Sequence, residues 1–267
     1  MYQIKLLFYK VNKNMSLAII GNGFVGNSLF QLLSQKNKVK IFDIDTTKSN
    51  CTFIELIDSD FIFLCLPTPS KNKKCDISLI QNTILKLKKL NYQGIIVIKS
   101  TVPPGTTEKM SCIYNNILFN PEFLREKHAL FDTLNPERIF IGGKNADKLK
   151  EIYLSFFSPD IIFTEDNPTN FEMVKYMSNT FLATKVALAN EFFNLAENLE
   201  LEYSKLKNYL VLDSRINSSH LNVPGHSGKL GYGGNCFIKD TEAFIDTFSK
   251  QKVPCPILKS ITKYAQQ

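Results

Sequence analysis

The stretch that most constrains the fold lies near the N-terminus, where a glycine-rich turn stands between a strand and a helix. Residues 16–20 form a short, continuously apolar run, which is typical of a parallel strand buried on both faces. The run leads into Gly21-Asn22-Gly23-Phe24-Val25-Gly26, then a helical pattern, a second strand at 39–42, and Asp43. Strand, GxGxxG, helix, strand and acid, in this order, form the dinucleotide-binding fingerprint in the context that it requires.

The chemistry of this fingerprint favours one dinucleotide. The glycines permit a tight turn and let a pyrophosphate approach the N-terminus of the helix closely. A carboxylate at Asp43 would accept a hydrogen bond from a ribose 2′-hydroxyl and would repel a 2′-phosphate. The pattern therefore predicts NAD rather than NADP. The predicted cofactor contacts in this stretch are Gly21, Gly23, Phe24, Val25, Gly26 and Asp43.

Strands and helices continue to alternate, which predicts an α/β fold with a doubly wound parallel sheet. Further strands are predicted at 61–66, 95–98, 117–119, 138–141 and 161–163, with helices at 76–90 and 146–157. Ligands of such sheets bind outside the carboxyl ends of the strands. Thr68, Thr101 and Asn120-Pro121-Glu122 follow strand ends, so we expect them to converge on one crevice, although ordinary loop polarity would explain any one of them.

The pattern changes after Pro168, since residues 169–223 contain neither glycine nor proline and their apolar residues recur at helical spacing. Thr169 and Glu172 fit a capping box at the start of this helix. A helix that reaches about Leu199 would be roughly 45 Å long. This length predicts packing against a second subunit, that is, a homodimer. Lys175 and Asn179 share one face at i, i+4; they could also be ordinary solvent-facing residues.

The predicted organisation has three parts. Residues 1–14 are an N-terminal extension, residues 15–167 a Rossmann-type NAD-binding domain, and residues 168–267 an all-helical central dimerisation domain. No apolar run approaches the roughly 18–20 residues of a membrane span. The net charge is +7, but the lysines are scattered and form no compact basic block, which argues against nucleic acid. Six cysteines without a CxxC pair, and three histidines without ligand spacing, predict no metal site and reduced thiols in the cytoplasm.

One cysteine has an unusual sequence context. Cys236 follows a run of glycines and precedes Lys239 and Asp240. The glycines either let the backbone pass close to a ligand or adopt a positive φ without strain. A nearby cation, or the amides at a helix N-terminus, would favour the thiolate and make Cys236 a nucleophile. The alternative is a buried structural cysteine beside a glycine turn.

Taken together, the motifs resemble those of the nucleotide-sugar 6-dehydrogenases, the family of UDP-glucose and GDP-mannose dehydrogenases. The resemblance extends from about Met15 to the C-terminus and follows the order of motifs in that family. The segments that carry it are 21–26, 67–69, 99–105, 120–126, 175–179, 213–216 and 231–240.

The resemblance implies an NAD-dependent oxidation of a sugar C6 alcohol to a carboxylate in two hydride transfers. Cys236 would capture the aldehyde as a thiohemiacetal and then become a thioester. The side chains implied to stabilise charge on the reacting C6 oxygen are Lys175, Asn179 and Asp240. Thr101 and Glu122 are implied to position or activate the water that hydrolyses the thioester.

The resemblance also implies further contacts. Those with the cofactor are at Pro67, Thr68, Ser100, Thr101, Glu126 and Lys239. Those with the substrate are at Glu122, Phe123, Leu124, Arg125, Lys175, Asn179, Gly233 and Phe237, with Arg215 reaching the substrate across the dimer.

The chain departs from the family pattern at three points. Ile238 stands where the family usually has proline, and Lys127 stands where it often has glycine. The chain also stops at Gln267, before the second nucleotide-binding domain that is usual in the family; either a separate chain supplies that part, the substrate is held weakly, or the protein is a truncated relative. Two alternatives to the dehydrogenase remain: a non-catalytic NAD-binding dimer, and a two-electron hydroxyacid-type dehydrogenase, which has no use for Cys236.

Overall fold

The first half of the chain is built on a seven-stranded sheet. A computed structural model describes residues 15–225 and 228–266, apart from the side chain of Asn235; the predicted extension at 1–14 lies outside this part. The strands of the sheet are β1 (Leu17–Ile20), β2 (Val39–Phe42), β3 (Phe61–Leu64), β6 (Ile95–Ile98), β7 (Ile117–Phe119), β8 (Ile139–Gly142) and β9 (Ile162–Glu165). Between β3 and β6 the chain forms a small hairpin of β4 (Ser70–Lys71) and β5 (Lys74–Cys75).

The order of the strands confirms the doubly wound sheet. It is β2-β1-β3-β6-β7-β8-β9, so the strand order reverses beside β1, where ligands of such sheets bind. All pairings are parallel except the one between β7 and β8, which is antiparallel and joins Phe119 to Gly142. The predicted parallel sheet is therefore confirmed, with this one antiparallel pair as an exception that was not predicted. An apolar run predicts a buried strand, but it does not indicate the direction in which the strand enters the sheet.

Helices and strands end close to their predicted limits. The helices are α1 (Phe24–Leu33), α2 (Ser78–Lys89), α3 (Thr106–Ser111), α4 (Ala129–Leu134), α5 (Ala146–Leu154), α6 (Pro168–Asn198), α7 (Tyr203–Leu210), α8 (Gly234–Lys250) and α9 (Pro256–Ile261). Strand β3 ends at Leu64, two residues before its predicted end, because the amide of Leu66 donates to the hydroxyl of Ser100 rather than to the ladder. The described residues after Asn198 form helices and one isolated bridge, between Tyr232 and Ala265.

The predicted capping box at the start of α6 was wrong. The helix begins at Pro168, and the amide of Thr169 donates to the Asn167 side chain at 2.9 Å. Glu172 is fully buried, and its carboxylate accepts from the amides of Gly105 and Thr107. A capping-box pattern describes only local partners, whereas here distant amides bind the carboxylate.

The described chain forms two compact units. The sheet unit comprises residues 15–67, Ser78–Ser100 and Gly105–Glu172, and the helical unit comprises Thr68–Ile77, Thr101–Pro104 and the described residues after Glu172. The core of the sheet unit packs strand side chains such as Leu17, Phe63 and Val97 against Leu29 and Leu33 of α1. The predicted boundaries at 14/15 and 167/168 stay predictions. Among the described residues, no helix has the length and apolar character that a membrane span needs.

Candidate functional site

The glycine turn after β1 has the shape that a dinucleotide requires. A Cβ at Gly26 would lie 1.8 Å from the carbonyl oxygen of Gly21, so only glycine lets α1 begin this close to the turn. Gly23 is the N-cap of α1, and no described atom lies within 4 Å of the position that its Cβ would take. The space beside Gly23 is open to a ligand at the helix N-terminus, where the unpaired amides favour an anion.

Asp43, at the carboxyl end of β2, is held beside this turn. Its carboxylate accepts from the amide of Asn22 at 2.7 Å and from the amide of Asp45 at 3.0 Å. The side chain is half-buried, and two hydrogen bonds leave a carboxylate further acceptor capacity. The open space at Gly23 and this carboxylate fit the pyrophosphate and the ribose of NAD.

A cleft of about 350 Å³ adjoins the start of α1. Phe24, Asn27 and Gln31 line it on one side, and residues 126–131 line it on the other. It therefore includes two of the predicted cofactor contacts, Phe24 and Glu126. Val25, a third, is half-buried in the first turn of α1.

Ser100 joins the carboxyl ends of two neighbouring strands. It is the second residue after the end of β6. Its hydroxyl accepts a hydrogen bond from the amide of Leu66 at 2.9 Å and donates one to the carbonyl of Leu66 at 2.7 Å. Ser100 is 8% exposed, and these hydrogen bonds satisfy its buried hydroxyl without requiring a ligand. Pro67 is exposed directly after this junction. Cofactor contacts at Pro67 and Ser100 stay predictions.

The segment after β7 forms a tight turn around Glu122. The carboxylate of Glu122 accepts from the amide of Leu124 at 2.8 Å. The ring of Phe123 packs edge-on against Phe140, with centroids 5.6 Å apart, and the guanidinium of Arg138 lies over the Phe123 ring at 4.3 Å. These contacts fix the turn from within the sheet unit.

Arg125 is engaged by a carboxylate of its own chain. Its Nη2 and Nε contact the two oxygens of Asp132 at 2.5 and 3.0 Å. The hydrogen bond from Arg125 holds the pKa of Asp132 below its usual value, and the same bond raises the pKa of Arg125. In the helical unit, Arg215 likewise pairs with Asp213 at 2.6 Å and is exposed. The substrate contacts predicted for both arginines stay predictions.

The helical unit brings four of the predicted catalytic residues onto two helices. On α6, Lys175 and Asn179 are 3% and 7% exposed, which excludes the solvent-facing alternative. Asn179 Nδ2 donates to Asp240 Oδ2 at 2.6 Å, and Asp240 is 1% exposed. Cys236 precedes Asp240 by one turn of α8 and lies in the first turn of that helix.

Lys239 completes this arrangement with a positive charge. Its Nζ donates to Asp240 Oδ1 at 2.5 Å. Burial lowers the pKa of Lys239, but the charge and hydrogen bond of Asp240, together with Cys236 and Cys75, outweigh burial and raise that pKa. Lys239 therefore carries its charge near neutral pH and interacts electrostatically with Cys236. A nearby cation and a helix N-terminus are the two features that favour a cysteine thiolate.

Thr68 and Thr101, both of the helical unit, are hydrogen-bonded to each other. The Thr68 hydroxyl donates to the Thr101 carbonyl at 2.8 Å, and both residues are buried. The thiol of Cys75 contacts the same carbonyl at 3.9 Å. Burial raises the pKa of Cys75, while the hydroxyl of Tyr176 and the charge of Lys239 act to lower it. Sequence analysis did not point to Cys75, because these neighbours are distant from it along the chain.

The glycines before Cys236 are explained by the chain itself. Gly231 has φ +78°, and a Cβ there would lie 2.1 Å from the carbonyl oxygen of Tyr264. Its amide donates to Asn190 Oδ1 at 2.7 Å, and Gln266 Nε2 donates to its carbonyl at 3.0 Å. The predicted positive φ is therefore found at Gly231, whereas the close neighbour there is the segment 264–266 of the chain itself.

The remaining predicted substrate contacts flank the nucleophile. Gly233 is the N-cap of α8. Phe237 is half-buried and packs with Ala183, Tyr232 and Ile261. Of the described residues, no three from among His, Cys, Asp and Glu are grouped so that they could hold a metal ion.

Two family models match the chain. The UDP-glucose/GDP-mannose dehydrogenase family, NAD binding domain, matches residues 51–157, and the central domain of the same family matches residues 169–267. Together they cover most of the chain. The first match, with the geometry at Gly23, Gly26 and Asp43, gives NAD as the cofactor.

Individual proteins show the same similarity. The UDP-glucose 6-dehydrogenase of Rickettsia prowazekii is 36% identical over 220 residues, covering 78% of this chain and 50% of that protein. The structure of a UDP-glucose dehydrogenase from Pyrobaculum islandicum superposes with a TM-score of 0.85 at 26% identity, covering 97% of this chain and 69% of that one.

A second structure is similar over nearly the same range. A ternary complex of GDP-mannose dehydrogenase from Pseudomonas aeruginosa gives a TM-score of 0.69 at 26% identity, covering 93% of this chain and 68% of that one. The chain spans about half the length of the Rickettsia relatives that it matches. On both family matches, the chain belongs to the UDP-glucose/GDP-mannose dehydrogenase family.

Proposed function

We propose that this chain carries the catalytic centre of a nucleotide-sugar 6-dehydrogenase. The reaction is the oxidation of the C6 hydroxyl of a UDP-glucose-like nucleotide sugar to a carboxylate. The observation that carries the proposal is the buried hydrogen-bond chain Asn179–Asp240–Lys239, one helical turn from Cys236. The names of the relatives, UDP-glucose 6-dehydrogenase and GDP-mannose dehydrogenase, support this class of substrate.

The glycine turn and Asp43 are the groups that would hold NAD. The amides at the start of α1 would bind the pyrophosphate, which the open space at Gly23 would admit, and the Asp43 carboxylate would accept from the ribose hydroxyls. Bound NAD accepts one hydride in each two-electron oxidation, so the conversion of an alcohol to an acid consumes two equivalents.

Cys236 divides this oxidation into two stages. Its thiolate adds to the carbonyl carbon of the C6 aldehyde, which forms a thiohemiacetal. Loss of a hydride and a proton from that adduct leaves a thioester on the sulfur. Water then attacks the thioester carbonyl, which releases the carboxylate and returns the thiol. The charge of Lys239 and the first-turn amides of α8 support the thiolate.

Lys175, Asn179 and Asp240 are the groups proposed to act on the C6 oxygen. The contact with Asp240 uses one of the two N–H groups of the Asn179 amide, and the other N–H can donate to a developing oxyanion. The buried ammonium of Lys175 adds positive charge on the same face of α6. A fixed donor and a fixed cation at a low-dielectric site stabilise developing negative charge without reorganisation.

We assign the positioning and activation of water for thioester hydrolysis to Glu122 and Thr101. Glu122 is the general base, and its carboxylate is oriented by the Leu124 amide. Thr101 is oriented through its carbonyl, which accepts from Thr68. The two residues belong to different units, so their joint action rests on the family resemblance.

The quaternary proposal is a homodimer through α6. An exposed apolar stripe runs along this helix at spacings of three, four and seven residues, as at the contact face of paired helices. Its members are Met177, Phe181, Leu188, Phe192 and Leu195, whose exposures range from 45% to 72%. A second copy of the same helix would cover the stripe, and Arg215 would then reach the partner's substrate. A separate partner chain that contributes nucleotide-binding groups, and a cytoplasmic location, remain parts of the proposal.

The experiment is a turnover assay with UDP-glucose, GDP-mannose and related nucleotide sugars, in which NADH formation is followed by absorbance. We expect two NADH for each sugar oxidised, and no turnover by Cys236→Ser. One NADH per sugar would instead indicate a two-electron dehydrogenase. NAD binding without turnover, even beside candidate partner chains, would contradict the proposal and favour a non-catalytic dimer.

A further inference from the structure

A buried cation lies at the carboxyl end of β6. Lys99 directly follows this strand and is only 6% exposed. A buried ammonium is unfavourable unless hydrogen bonds and opposite charge replace the water that it loses. The hydrogen-bond partners and charges around Lys99 are therefore the place to look for its role in the sheet unit.

The first partner of Lys99 is the Asn120 side chain. Lys99 Nζ and the Tyr153 hydroxyl both donate to Asn120 Oδ1, at 2.8 and 2.6 Å. Asn120 Nδ2 donates to the carbonyl of Phe140 at 2.7 Å, and Asn120 is 1% exposed. The amide of Asn120 is thus held at both ends, by residues that follow β6 and belong to β8 and α5.

Asn120 begins the turn that carries Glu122. The backbone amide of Asn120 continues the sheet by donating to the Ile98 carbonyl at 2.9 Å, and two residues later the Glu122 carboxylate accepts from Leu124. A fixed Asn120 side chain at one end and the Leu124 amide at the other leave this short turn little freedom.

Lys99 and Glu122 are also connected electrostatically. Burial raises the pKa of the Cys65 thiol to about 12; the charge of Lys99 acts to lower that pKa, and the charge of Glu122 acts to raise it. Lys99 Nζ contacts Asn120, two residues before Glu122, so the positive charge lies beside the turn that carries this carboxylate.

We propose that Lys99 is a positioning residue for Glu122: it fixes the turn through Asn120, and its charge keeps the Glu122 carboxylate ionised. The inference rests on the proposed function, in which Glu122 accepts a proton from water. A general base has to be ionised to accept that proton. Of the other titratable groups that face this cluster, the Cys65 thiol and the Tyr153 hydroxyl are kept neutral by burial, which raises the pKa of both.

The test is a titration of Glu122 itself. In protein labelled with 13C at the glutamate carboxyl carbons, the Glu122 resonance is identified by its absence from Glu122→Gln, and its midpoint is measured with pH. We expect Lys99→Met to raise the midpoint, because a nearby positive charge favours the ionised form of a carboxyl group and its removal favours the protonated form. Lys99→Arg keeps the charge and should restore the wild-type midpoint.

Tyr153→Phe is the matched control, since it removes one hydrogen bond to Asn120 but no charge. Its midpoint should equal that of wild type. If Lys99→Met does not fold, Lys99→Gln removes the charge while keeping a donor for Asn120. An unchanged midpoint in the charge-removing variant would overturn the proposal, as would an equal rise in Tyr153→Phe.

The titration does not depend on turnover, so it separates this inference from the proposed function. Where a nucleotide sugar is turned over, Lys99→Met should move the acidic limb of the kcat/KM profile to higher pH by the same amount. A moved midpoint with no NADH formed from any sugar would leave the Lys99 inference standing and contradict the proposed function alone.

Discussion

The carboxylate of Glu172 accepts hydrogen bonds from both the backbone amide and the hydroxyl of Thr107, at 2.7 and 2.6 Å. The amide of Gly105 donates to its other oxygen at 2.6 Å. Glu172 is fully buried, so these donors take the place of water. The start of α6 is thereby tied to the first turn of α3, although the two segments are more than 60 residues apart.

The first prediction concerns the stability of this contact. In Glu172→Gln an amide group replaces one acceptor oxygen and faces backbone donors. We expect the free energy of unfolding to fall by about 2 kcal/mol, because a buried donor left without an acceptor costs about 1–3 kcal/mol. Urea denaturation measures it. Glu197→Gln, an exposed change on the same helix, is the control.

The same residue gives a pH dependence. Burial is the largest influence on Glu172 and raises its pKa above the ordinary value of 4.5, despite the hydrogen bonds. A carboxyl whose pKa is raised by folding stabilises the protein most below its unfolded pKa, and this contribution is lost as pH rises through the folded pKa. The advantage of wild type over Glu172→Gln should therefore be largest below about pH 4.5 and shrink above it. If the stability advantage of wild type instead grew with pH, the pKa of Glu172 would be lowered by folding, contrary to the prediction.

The second prediction concerns the glycine turn. Gly26→Ala places a Cβ against the Gly21 carbonyl and should both lower the unfolding free energy and weaken NAD binding. Gly23→Ala meets no described atom, so it should leave stability nearly unchanged while its methyl group occupies the space for the pyrophosphate. Urea denaturation and NAD titration by fluorescence distinguish the two. Equal NAD affinity for Gly23→Ala and wild type would show that this turn does not bind the cofactor.

The third prediction concerns the pair Asn179 and Asp240. Asn179→Ala removes the donor to a buried carboxylate and the donor proposed for the C6 oxygen. We expect kcat to fall by about 10²–10³-fold, as for the loss of one oxyanion donor, with NAD affinity unchanged. Asn194→Ala, exposed on the same helix, is the control. A loss confined to KM would assign Asn179 to binding alone.

The fourth prediction concerns the turn before Cys236. Gly231→Ala combines a positive φ with a contact at 2.1 Å to the Tyr264 carbonyl, whereas Gly228→Ala has the positive φ with no described atom near its Cβ. The positive φ alone costs about 1 kcal/mol. Gly231→Ala should therefore be more destabilised than Gly228→Ala in urea, and should lose turnover. Equal stability would mean that segment 264–266 gives way to the methyl group.

The fifth prediction concerns assembly. Phe181, at 72% exposure, lies in the apolar stripe of α6. A carboxylate there would be buried without a partner in the proposed dimer, so Phe181→Glu should yield monomers in sedimentation equilibrium. Asn194→Glu, an exposed change on α6 outside the stripe, should leave the dimer intact. A wild-type chain that is monomeric at all concentrations tested would contradict the dimer.

What the sequence determined by itself was local. Continuous apolar runs, the spacing of three glycines and the acid at Asp43 predicted β1, α1, β2 and the NAD turn, because all the groups involved lie within about 25 residues. The burial of the Lys175–Asn179 face could not be read from its i, i+4 spacing alone.

The tertiary structure decided the contacts between distant residues. The pairing of Asn179 with Asp240, the clamp at Glu172, the antiparallel entry of β8 and the buried ammonium of Lys99 each join segments that no periodicity relates. Periodicity reports which face of an element is apolar. It does not report which polar group of another element contacts a residue on that face. In this protein, such contacts between distant segments orient the candidate catalytic groups.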